Sequence, residues 1–128
     1  MKLTLSWMPA SDGLFPICSS DVSNKEGIDT LACVLSDDGG QGIWNVVPWL
    51  DEGIRRINSV TSDGVGMVNW IRDAWGVELT TTQAKIYSLY DESCFQVIAL
   101  GSFEKALISW RDFIQSTPVS GRAQIIEI

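Results

Sequence analysis

From Ser102 to Ser116 apolar residues recur at offsets of three and four: Phe103, Ala106, Leu107, Trp110, Phe113 and Ile114. That spacing puts all six on one face of an α-helix over 103–116. Ser102 can accept a hydrogen bond from a first-turn N–H, and Glu104 lies where the helix dipole favours an anion. Gly101 and Pro118 mark the limits. A second helix is predicted over 45–57, capped by Asn45 and with Pro48 in its first turn. Val46, Val47, Leu50, Ile54 and Ile57 form its apolar face. Asp51 and Glu52 lie on the other face, each four residues ahead of Arg55 or Arg56, and such pairs are worth only a few tenths of a kcal/mol. Gly53 weakens this helix by up to ~1 kcal/mol relative to alanine.

Elsewhere the pattern is that of strands. Lys2 to Met8 alternates, with Leu3, Leu5 and Trp7 on one side, and Pro9 is expected to end it. Residues 10–28 carry loop chemistry, with a short extended piece at Leu14 to Cys18. Thr30 to Ser36 contains the run Leu31-Ala32-Cys33-Val34-Leu35 and reads as a strand buried on both faces, broken by the turn Asp37-Asp38-Gly39-Gly40. Met67 to Trp75 fits either periodicity and is read as a strand. Trp75 to Thr80, Ala84 to Tyr90 and Cys94 to Leu100 read as three strands with tight connections. The tail Gln124 to Ile128 is a last strand or one offered to a partner. The expectation is one domain over residues 1–128 of the α+β class, a mainly antiparallel sheet with the two helices packed on it.

Composition narrows the chemistry. Three cysteines at irregular spacing, with no CxxC pair, make no disulfide framework. With no histidine, a structural zinc site and the Ser-His-Asp and Cys-His mechanisms lose their usual ligands and bases. Asp37-Asp38-Gly-Gly lacks both the Lys-Ser or Lys-Thr of a phosphate loop and the alternating acids of a calcium loop. No cofactor or metal is expected. Adjacent acids at Asp37/Asp38, Asp51/Glu52 and Asp91/Glu92 point in different directions and make no acid–base dyad.

The formal net charge is −7, which opposes binding to nucleic acid and suits a basic protein partner. The first nine residues lack the apolar run of a signal peptide, and no apolar run approaches the ~20 residues that span a bilayer. A cytoplasmic, non-enzymatic protein without membrane partners is therefore expected. Trp7, Trp70, Trp75 and Trp110 read as core. Trp44 and Trp49 flank the second helix beside the acidic turn and are the aromatics best placed to anchor a partner.

Gly76-Val77-Glu78-Leu79, then Ala84 to Glu92, then Ser102 to Leu107 with Ser109-Trp110-Arg111-Asp112-Phe113, form a sequence of strands leading into a Trp-bearing helix. Over residues 44–116 this resembles the C-terminal half of small bacterial immunity proteins, including those of contact-dependent growth inhibition systems. The resemblance lies in core positions and carries no contact residues across. It implies a protein that binds a cognate toxin domain, often a basic nuclease, and blocks its active site or substrate groove without a cofactor. The toxin-facing residues chosen on charge are Asp37, Asp38, Asp51, Glu52, Asp91 and Glu92, with Trp44 as anchor. Two alternatives stand beside it: a binding or adaptor domain, dimeric through Gln124 to Ile128, and an enzyme working with carboxylates alone.

Overall fold

Leu3, Leu5 and Trp7 are the buried side of β1 (Lys2–Ala10), the central strand of a three-stranded antiparallel sheet. The computed structural model describes residues 1–128. Pro9 does not end β1, which pairs it with Leu14 and runs on into a hairpin with β2 (Gly13–Ser20). The reason is local. Trp7 N–H donates to Arg122 and Lys2 carbonyl accepts from Asp21, so odd residues of β1 face β7 (Ala123–Glu127) and even ones face β2. The ladder with β7 reaches only to Ser6, so the missing N–H of Pro9 falls on an open side. The expected loop over 10–28 thus shortens to residues 21–29.

The run 30–36 is a helix, α1 (Thr30–Leu35), and not a strand. Asp29 caps it, its Oδ1 accepting from Ala32 N at 3.0 Å, while both carboxylate oxygens also accept from Ser20. Thr30, Leu31, Val34 and Leu35 are buried, which is helical spacing within a run apolar enough to disguise it. A 3₁₀ turn at Ile43–Asn45 leads into α2 (Val47–Ser62). Asn45 is not the cap: its Nδ2 donates back to Gln41 O at 2.7 Å, and Val46 holds the cap position without a side-chain bond.

Then come β3 (Met67–Ile71), β4 (Trp75–Thr80), β5 (Gln83–Ser88) and β6 (Phe95–Ala99), an antiparallel sheet in sequence order. The long helix α3 (Leu100–Ile114) starts two residues before Ser102, with Ala99 at the cap position, because Leu100 is buried and begins the apolar face. The α+β class holds, with the strands divided into two antiparallel sheets.

The helix α3 joins these sheets. Phe103 packs edge-on to Trp70 of β3, which in turn stacks on Trp49 of α2. At the other end Phe113 stacks on Trp7 of β1 and on Trp110, and Trp7 continues to Trp44. Trp7, Trp70, Trp110 and Phe103 are fully buried in one cluster of 24 apolar residues drawn from every helix and both sheets. Burying each such side chain contributes ~1.5–3 kcal/mol.

Candidate protein-binding face

The four-stranded sheet has two unlike sides. Val77, Leu79, Ala84, Ile86 and Ile98 face the helices with Trp70 and are buried. The register sets the other side in rows: Asn69, Glu78, Lys85 and Val97 in one, Ile71, Gly76, Tyr87 and Phe95 in the next. No helix covers these rows, and Met67, Ile71, Phe95 and Val97 all lie exposed. Antiparallel sheets often show water a polar face, so four exposed apolar side chains here are unusual.

The apolar four lie on the outer strands β3 and β6, and polar groups on β4 and β5 separate them. Glu92 reaches in from the turn between β5 and β6 and shares a cavity of about 250 Å³ with Asn69, Glu78, Lys85 and Tyr87. Lys85 places its ammonium 4.8 Å from the Phe95 ring centroid. Tyr87 lies flat across Gly76: a Cβ there would meet the ring at 2.8 Å. At the turn itself Tyr90 is 82% exposed, beside Asp91 and Glu92. Asp91 Oδ1 accepts from Ser93 N and Oγ at 3.1 and 2.6 Å, which fixes the turn and leaves Tyr90 projecting.

Of the acids chosen from sequence, then, Asp91 and Glu92 fall at this face and the others do not. Asp37 is spent on structure: its Oδ2 accepts from Ala74 N and Trp75 N at 2.8 and 3.1 Å, and its carbonyl accepts from Arg72 Nε at 2.8 Å. Asp51 pairs with Arg111 of α3 at 3.0 Å and not with Arg55. Glu52 takes both Arg55 and Arg56, and those hydrogen bonds hold its carboxyl below the ordinary carboxylate range. Asp38 and Glu52 share a shallower cavity of about 410 Å³ with three arginines and Trp49, where positive charge offsets them. Arg72 stacks there 4.2 Å from the Trp49 ring centroid. Trp44 is 50% exposed and is stacked on Trp7.

Met67, Ile71, Tyr90, Phe95 and Val97 were not among the residues chosen from sequence. A signal was present: in 95–99 Phe95, Val97 and Ala99 make one side wholly apolar while Ile98 lies on the other. Apolar residues thus fall on both sides of an antiparallel strand, which then has both sides covered or offers one for docking. No group of three or more Cys, Asp or Glu side chains converges where a metal ion would sit, and no helix is long and apolar enough to cross a membrane. Comparison with known proteins finds no match, whether among family models, curated proteins or solved structures.

Proposed function

We propose that this chain is an immunity protein that acts in the cytoplasm by binding a cognate toxin domain, a basic nuclease in the leading case, and occluding its active site or substrate groove. The observation that carries the reading is the outer face of the four-stranded sheet. It is apolar at Met67 and Ile71 on one outer strand and at Phe95 and Val97 on the other, polar at Glu78, Lys85 and Tyr87 between them, with Tyr90, Asp91 and Glu92 at the adjoining turn. Exposed apolar side chains set among polar ones, beside a projecting tyrosine, suit a protein interface, where aromatic residues are enriched and charged pairs set the partner. The charge supports a basic partner. Among sixteen acids only Asp51, Glu52, Asp112 and Glu127 are in ion pairs, so twelve are unpaired, and with the net −7 they favour fast capture of a cation-rich surface.

The toxin encoded immediately upstream is the test ligand. Tyr90→Ala should weaken binding about 30-fold, the effect of a typical hot-spot truncation, with the melting temperature unchanged. Replacing Asp91 and Glu92 by lysine should slow association and flatten its dependence on salt. Cells that express the protein and gain no protection from that toxin would sink the proposal. Binding without protection would point to the adaptor reading.

A further inference from the structure

The strand β7 exposes an unprotected edge. Leu5 with Gln124 and Leu3 with Ile126 are the hydrogen-bonded pairs of its ladder with β1, as the flanking bonds from Trp7 N to Arg122 O and from Ile128 N to Met1 O require. The N–H and C=O groups of Ala123, Ile125 and Glu127 therefore point away from β1, and no side chain of the protein hydrogen-bonds to them. Two other outer strands are blunted. In β2 the outward positions include Pro16, which has no N–H, and Ser20, whose N–H is held by Asp29 at 2.6 Å. In β3 the outward carbonyl of Asn69 accepts from Arg56 Nη1. Along β7 there is neither proline nor lysine, the usual devices against edge pairing.

We infer that β7 pairs with β7 of a second copy of this chain, antiparallel and centred on Ile125, to join two three-stranded sheets into one of six strands. The strand is self-complementary in that register. Ile125 falls opposite its own copy, and Ala123 opposite Glu127, so all three outward residues meet outward residues and exchange both bonds at each pair. No charged side chain meets its like. Ile125 is 67% exposed, with only Thr4 opposite it in the sheet, and in the pair it packs on its own copy. On the inward side the partner's Ile126 comes beside Gln124. Both residues already line a cavity of about 220 Å³ against Trp7 and Phe113. The closed two-fold arrangement is the commonest form of homo-oligomer. It leaves the outer face of the four-stranded sheet free.

Ile125→Pro tests this cleanly. It removes a donor that points outward and takes nothing from the ladder with β1, so the fold should survive. Ultracentrifugation of the full chain should give a dimer whose dissociation constant rises at least tenfold in Ile125→Pro. The amides of Ala123, Ile125 and Glu127 should lose their protection from hydrogen exchange on dilution. Ile125→Lys, which keeps the backbone donor, should weaken the dimer too and guards against a folding defect in the proline variant. A chain that is monomeric at millimolar concentration overturns the inference. So does a dimer indifferent to both variants, which would place the contact on the β6 edge or the sheet face. Toxin binding can fail without touching this result.

Discussion

A methyl group at position 53 would stand 2.9 Å from Trp70 Cε2 and 3.1 Å from Leu107 Cδ1. Read as helix propensity, Gly53 is a weak point in α2. Read as packing, it is where α2 lets the fully buried indole of Trp70 approach. Gly53→Ala recovers ~1 kcal/mol of propensity and meets ~1–3 kcal/mol of overpacking, so a net loss of about 1 kcal/mol is expected in urea unfolding. A stabilised variant would show that Trp70 gives way. Cys18 is a second case in which surroundings override the residue type. Burial pushes its thiol from 9.0 up to about 12, against the smaller opposing effect of its contact with Ser36. In the unfolded chain the thiol loses its proton first. The stability it contributes is therefore whole below pH 9.0 and is lost as pH rises through about 12. The melting temperature should fall less steeply over that range in Cys18→Ala, and native Cys18 should resist alkylation at neutral pH.

At the scale of elements, legibility tracked how far each segment's environment is local. Strands β4, β5 and β6 and the helix α3 announced themselves, because alternation and three–four spacing record one buried face each. The short helix α1 did not. Six residues almost wholly apolar carry little periodicity, and the deciding signal was Asp29 just outside the run, a cap that also ties down Ser20. The register of β1 with β7 makes Pro9 harmless, and nothing near Pro9 in sequence says so. Similarly, the partner of Asp51 is sixty residues away on α3. Long-range ties also stabilise α1, since Trp110 Nε1 donates to the Leu35 carbonyl at 2.9 Å, one of the acceptors a helix end leaves open. Trp110→Phe keeps most of the ring and strands that carbonyl, at a cost of ~1–3 kcal/mol. Truncation to alanine should cost ~3–5 kcal/mol. Hydrogen exchange should show α1 loosened in the phenylalanine variant before the sheets are affected; unchanged protection there would mean the bond contributes little.

For the whole molecule, charge was legible as a total and not as a map. The −7 is a count, but which acids are free depends on where nine cations fall, and five of the arginine contacts to acids gather on Asp51, Glu52 and Asp112. The candidate face moved for that reason from the acidic turn before α2 to the far side of the four-stranded sheet, keeping only Asp91 and Glu92. The division into two sheets was equally hidden, because strand signals do not say which strands pair. The structure answers with α3, which offers Phe103 to one sheet and Phe113 to the other.

The pairing of Lys2 with Glu127 joins positions separated by nearly the whole described chain. On a ribosome the β1–β2 hairpin would emerge well before β7 and wait, one flank bare, for that third strand. Loop closure on that scale is a slow, entropically costly event, so the four-stranded sheet with α2 and α3 is poised to form ahead of it. The outer face of the four-stranded sheet would then be ready before β7 docks, and in the proposed dimer this late strand is the one that brings two copies together.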